Sequence, residues 1–229
     1  MKKILYIAAM ALMCASCFRV NSNYHTGKKA IKGEGAVITK SFDLKDFDSI
    51  TINGHADVTF TQSPEFEVTL STQENVFEYM DYRVEGNTLI LETKDKRSVR
   101  AESYDVTIKA PALKRLVVNG ASDFNIPAGL VSEDDLDVNV NGAGDLDFKQ
   151  IRCGKLNIVS NGASDIDATS ISATGLSITV NGAGDVIVSG DVSGDASLEV
   201  NGAGDIDARN LTVSGELKKR AAGVARIKN

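Results

Sequence analysis

The most regularly spaced chemically competent side chains in this sequence are aspartates. Asp123, Asp145, Asp165, Asp185 and Asp205 recur at intervals of 22, 20, 20 and 20 residues. Two residues further on, Asp147, Asp167 and Asp207 form a second, interrupted series, with Asn125 and Ile187 in the other two places. Rows of hard oxygen ligands suit calcium, which takes about six to eight oxygens. The set that would hold it is Asp145, Asp147, Asp165, Asp167, Asp205 and Asp207. Known calcium-binding repeats, however, use a shorter, glycine-denser period. The competing role is structural: a turn carboxylate accepts hydrogen bonds from nearby backbone amides. That role is the one the pattern favours, and no metal or cofactor is expected. Glycoside cleavage needs two carboxylates in different environments. Near-identical turns supply identical environments, so the repeat does not read as an enzyme.

Each aspartate of the first series closes a five-residue motif, N-G-A-S-D or N-G-A-G-D. The motifs place Asn119 and Gly120, Asn141 and Gly142, Asn161 and Gly162, Asn181 and Gly182, and Asn201 and Gly202 at equivalent positions. A related N-G-H-A-D begins at Asn53, 66 residues before Asn119, which equals three periods of 22. Self-similarity at a fixed period denotes a stacked solenoid. Three positions before each Asn stand Leu116, Val138, Ile158, Ile178 and Leu198; one position before stand Val118, Val140, Ser160, Val180 and Val200. Apolar and polar residues alternate on both sides of the turn, which is strand periodicity. The Asn and Gly pairs forbid a continuous helix and suit turns needing positive φ. The expected fold is therefore all-β: a single-stranded, right-handed parallel β-helix with about 20 residues per coil, pectin-lyase-like in form. Asparagines and glycines should stack in ladders about 4.8 Å apart. From Asn53 onward the count predicts about eight coils, with looser second turns near Gly154, Gly175, Gly194 and Gly215.

The chain of 229 residues suffices for a sizeable core. Its 25 basic and 31 acidic side chains leave a net charge of -6, which excludes a basic nucleic-acid-binding face. Two His and three Cys nearly exclude a His/Cys metal site. Residues 1–16 read as a lipoprotein-type signal peptide: Lys2 and Lys3 precede an apolar run from Ile4 to Met13, and Ala15-Ser16 precede Cys17. Cys17 is the expected lipidation site, giving a membrane partner through the lipid anchor. Residues 17–40 read as a tether, 41–112 as irregular coils, 113–215 as regular coils and 216–229 as a C-terminal cap. In that cap Arg220 or Arg226 would offset the end of the aspartate column. E-N-V-F-E-Y-M (74–80) is expected to cover the other end. Cys153 reads as a small buried apolar residue. Lys149, Arg152 and Lys155 read as a solvated edge, and Tyr79, Tyr82, Tyr104 and Phe77 as an end cover or a ligand contact. His55 alone alters the turn pattern and reads as an exposed residue.

These turn motifs, with L-K-R-L-V-V-N-G-A-S-D-F (113–124) and N-V-F-E-Y-M-D-Y-R-V-E-G-N-T-L-I-L (75–91), resemble the putative auto-transporter adhesin, head GIN domain family of Bacteroidetes envelopes. The resemblance implies a β-helix, no catalytic residues and a role in cell adhesion at the outer membrane. The expected function is a non-catalytic, adhesin-like binding or scaffold module, with a glycan or protein as ligand and self-association open to a flat-faced rod. The rivals are a carbohydrate-active enzyme on the same fold and a periplasmic structural lipoprotein. A single coil with a unique cluster of acid, base and cation would favour the enzyme; uniform coils favour the scaffold.

Overall fold

The computed structural model describes residues 29–224 and 226–228. The signal peptide and Cys17 lie outside the described residues. Alternating apolar residues place one side of every strand inward, and the chain winds into a parallel β-helix with three faces. Face one holds Ser49–Gly54, Arg115–Gly120, Leu136–Gly142, the second halves of Ile151–Ser160 and Ile166–Val180, Ala196–Gly202 and Leu217–Gly223. Face two follows the N-G turn and holds Asp57–Gln62, Asp123–Ile126, Leu146–Lys149, the first parts of Ile166–Val180, Val186–Val192 and Asp205–Val213, and Arg226–Lys228. A shorter third face starts with Leu130–Val131, pairing in register with Ile151 and Arg152. The core is one continuous apolar column; Phe60, Phe124 and Phe148 are fully buried, their ring centroids 6.5 and 6.3 Å apart along the axis.

The coil count differs from the expectation of eight. Asn53 lies directly against Asn119, in register through Gly54 and Gly120. The 66-residue interval is therefore one step of the ladder, not three coils. Residues 63–112 add one more parallel rung, Thr88–Thr93 on face one and Tyr104–Ala110 on face two, together with antiparallel strands that close the end. Tyr104–Ala110 pairs parallel to Asp57–Gln62, Glu67–Gln73 pairs antiparallel to it, and Val37–Phe42 adds a further antiparallel strand. A hairpin of Met80–Glu85 and Thr88–Thr93 stacks on Ser49–Gly54. Residues Glu74–Tyr79, expected as a short helix or loop, form a 3-10 helix that follows Glu67–Gln73 and buries Val76. Reversing strand direction interrupts the parallel pairing that would otherwise continue the rod. The stretch expected as tether also contributes: Ile31–Lys32 pairs with Val99–Arg100, and Ile31 is buried.

The far end stops differently. In the last coil Lys219 stands in register with core Leu198, and Ala221 with core Val200. Arg226 takes the place of Asp205 and Lys228 that of Asp207. A charged side chain at an inward register position discourages another strand from adding there.

Candidate functional site

The repeated turn is the most regular surface of the molecule, and its parts bond from coil to coil. The amide of Asn119 donates to the Asn53 side-chain oxygen at 2.8 Å; Asn141, Asn161, Asn181 and Asn201 each donate to the preceding Asn at 2.9–3.0 Å. Asn53 itself donates to Glu92 at 3.0 Å, so the ladder is anchored in the cap. Successive amide bonds polarise one another along such a chain.

The glycines are required for a reason different from the one the sequence suggests. Among the N-G turns positive φ occurs at the first two, Gly54 (130°) and Gly120 (142°), and it returns at Gly223 (92°), in register with Gly202 at the far end of the ladder. At the others the cause is close backbone approach. A Cβ on Gly142, Gly162, Gly182 or Gly202 would stand 1.8–2.1 Å from the carbonyl oxygen of the glycine one coil before. The same glycine carbonyls accept from the amides of Ala143, Ala163, Ala183 and Ala203 at 2.8–3.0 Å. Neighbouring turns are thus locked together, backbone against backbone.

The aspartate column runs beside this ladder. Asp145 N–H donates to the Asp123 carboxylate at 3.0 Å, Asp185 N–H to Asp165 at 3.2 Å and Asp205 N–H to Asp185 at 2.8 Å. Each of these carboxylates therefore caps the backbone of the next turn. At the end of the column Lys228 Nζ lies 3.2 Å from Asp205, doing what was expected of Arg220 or Arg226; Arg220 instead pairs with Glu199 at 3.5 Å. In the second series Asp147 pairs with Lys149 at 2.8 Å and Asp207 with Arg209 at 2.6 Å. The Arg209 hydrogen bond pulls the Asp207 carboxyl down to about 2. One oxygen each of Asp147 and Asp167 is buried without a hydrogen-bond partner. Asp145, Asp147, Asp165, Asp167, Asp205 and Asp207 do not converge: among the described residues no three or more His, Cys, Asp or Glu side chains come together as a metal site.

Concavities among the described residues break the regular surface in at least two places. A groove of about 480 Å³ runs across five coils at the edge of the third face, between Ser132 and Ser214, with Arg152, Ser172, Asp191 and Ser193 along it. Cys153 also lines it; burial pushes its thiol up to about 11, which suits an inert thiol. A second, polar cavity of about 260 Å³ lies at the cap, lined by His55, Asp57, Arg100, Glu102, Ser103 and Asp105 among others. The aromatic group expected to cover the end packs within the cap. Tyr82 donates to Tyr104 at 3.2 Å, Arg97 lies 4.8 Å over the Tyr79 ring and Lys40 4.5 Å over the Phe77 ring.

Two features escape sequence reasoning. Ser160 replaces the usual valine because its hydroxyl bonds Ser164 Oγ at 2.6 Å, both fully buried. The signal was present: this coil alone has serine at both positions. The cap cavity left no such trace, since Arg100, Glu102 and Asp105 belong to no repeat.

A single chain wound as a parallel β-helix, with asparagine and aspartate ladders along one edge, is a β-solenoid. The sequence profile of the family described as putative auto-transporter adhesin, head GIN domain, matches residues 46–228, and the chain belongs to that family. A solved structure from Parabacteroides distasonis, described as a putative lipid binding protein, superposes with a TM-score of 0.75 at 24% identity, covering 88% of this chain and 100% of that one. A putative adhesin from Bacteroides fragilis gives 0.69 at 24% identity, covering 87% and 100%. One from Parabacteroides merdae gives 0.59 at 16% identity, covering 88% and 100%. At these identities the structures speak for the fold. No curated protein matches the chain.

Proposed function

We propose that this protein is a non-catalytic, adhesin-like binding module of the cell envelope, anchored to the outer membrane by lipid on Cys17 and displaying its rod to a glycan or protein ligand. The observation that carries this reading is the equivalence of the turns. Asp123, Asp165 and Asp185 each accept a backbone N–H from the next aspartate in the column, so their lone pairs serve the fold. They present no pair of carboxylates in contrasting environments of the kind hydrolysis requires. Membership of an adhesin-like family supports the same reading. The lipid-binding description of the Parabacteroides distasonis relative transfers less readily. The long groove here has Arg152, Asp191 and four serines beside Cys153, Ala173 and Val192, a mixed wall that does not by itself select an acyl chain.

The test is accessibility of the folded rod to protease or antibody on intact cells, with lysed cells as control. Exposure on intact cells is the expected result. Protection until lysis would overturn display at the surface and leave a periplasmic structural role.

A further inference from the structure

Six rungs of the turn ladder carry an asparagine followed by glycine: Asn53, Asn119, Asn141, Asn161, Asn181 and Asn201. A glycine after an asparagine leaves its backbone nitrogen open to the asparagine side-chain amide, because no Cβ stands in the way. Such pairs are chemically labile. The fold treats the six unequally.

Asn119, Asn141, Asn161 and Asn181 each donate one amide bond to the asparagine before and accept one from the asparagine after. Asn53 is held between Asn119 and Glu92. Asn201 is the last of the series. Its amide donates to Asn181 and to Glu199, both at 3.0 Å, but the next rung is Ala222, which has no side-chain amide to give. The Gly202 carbonyl accepts from Val224 at 3.2 Å, where the inner glycine carbonyls accept at 2.8–3.0 Å. Above Gly202 stands the final coil, Leu217–Gly223, exposed at every residue after Leu217 and paired with Ala196–Gly202 on one side. A terminal coil held on one side opens more readily than an inner coil held on both.

We propose that Asn201 is a self-modification site, converted to aspartate and isoaspartate by the Gly202 nitrogen when the last coil opens. That nitrogen, its proton taken by solvent base, attacks Asn201 Cγ. An N–Cγ bond forms, the Cγ–Nδ2 bond breaks, and Nδ2 takes a proton from solvent and leaves as ammonia. Water then opens the cyclic imide, at Cγ to give aspartate or at the backbone carbonyl to give isoaspartate. Water is the sole co-reactant. The ionised product has no donor for Asn181 or Glu199 and sets a negative charge beside the Glu199 carboxylate, so the free end of the rod loosens. The chemistry is the chain's own and is independent of where the rod is displayed.

The experiment holds the full chain at pH 8 and 37 °C in oxygen-18 water and follows each Asn-Gly pair by peptide mass spectrometry. Asn201 should convert at least tenfold faster than Asn141, Asn161 or Asn181 in the folded protein. In urea all six should convert within about threefold of one another, since the coils no longer differ. Ala222→Asn lengthens the ladder by one rung; it should slow Asn201 at least fivefold and make the introduced asparagine, itself followed by Gly223, the fastest site. If that variant does not fold, the comparison of folded and urea-unfolded parent decides the matter. Equal rates along the folded ladder, a lead for Asn201 that survives in urea, no conversion over several weeks, or an Asn201 rate unmoved in folded Ala222→Asn would each overturn the proposal.

Discussion

Replacing Gly162 by alanine tests the claim that backbone contact, not φ, requires glycine in the turn ladder. The added Cβ would stand 1.8 Å from the Gly142 carbonyl oxygen, so the two coils must part locally by on the order of 1.5 Å to reach ordinary contact. That separation strains the Ala163 N–H bond to Gly142, now 3.0 Å, and the Asn161 amide bonds to Asn141 and from Asn181, both 2.9 Å. Three bonds at roughly 1 kcal/mol each, with about 1–3 kcal/mol of overpacking strain and some relaxation, give a loss of about 4 kcal/mol. For a domain of this size that lowers the melting midpoint by roughly 8–16 °C. The internal control is Gly175→Ala, elsewhere on the rod, where the new Cβ would come no nearer than 3.3 Å, to the flexible Lys155 side chain, with the Asp195 carbonyl oxygen at an ordinary 3.7 Å; its cost should stay under about 1 kcal/mol. Calorimetric and urea unfolding of both variants measure the difference. A Gly162→Ala protein within about 1 kcal/mol of the parent, or a Gly175→Ala protein as damaged, would refute the argument.

Further expectations concern the polar core, acid titration and thiol chemistry. Ser164→Ala leaves the buried Ser160 hydroxyl without its 2.6 Å partner and should cost about 1–3 kcal/mol. The double change Ser160→Val with Ser164→Gly, which copies the coil of Val180 and Gly184, should recover most of it in urea unfolding. Asp57 has a folded-state carboxyl raised by burial and by Asp123, so the native state binds its proton more tightly than the unfolded chain does. Its contribution to stability is present at low pH and lost as pH rises through the folded value. Asp57→Asn should therefore flatten the melting midpoint over that window above about pH 4. Cys153, its thiol raised to about 11, should resist iodoacetamide at pH 8 in the native protein and react in urea, as peptide mass spectrometry would read.

The period of the repeat made the stacking of coils legible before any coordinates, because one spacing puts every equivalent residue on one ladder. The alternation around Leu116, Val118, Phe124 and Ile126 likewise gave the faces that turn inward, and all four are fully buried. What could not be read was anything the repeat does not repeat. The interval from Asn53 to Asn119 is a multiple of the period, yet the chain spends it on a cap with antiparallel pairs. Arithmetic on spacing cannot separate added coils from an excursion that returns to the same rung. The glycine requirement was visible but its cause was not, since positive φ and close approach leave the same letter in a sequence. The cap cavity was invisible because its walls come from segments nearly fifty residues apart.

The glycine contacts carry a consequence for length. At Gly142, Gly162, Gly182 and Gly202 the nearest obstacle to a side chain is the backbone of the glycine one coil before, and the strands around them keep one register from coil to coil. An inner coil is therefore addressed by its two neighbours and by nothing further away. A block of twenty residues cut or copied within this stretch would rejoin like surfaces, while the cap and the basic last coil stayed as they are. In this architecture reach follows repeat number: each duplicated coil sets the basic last coil one rung, about 4.8 Å, further from the cap.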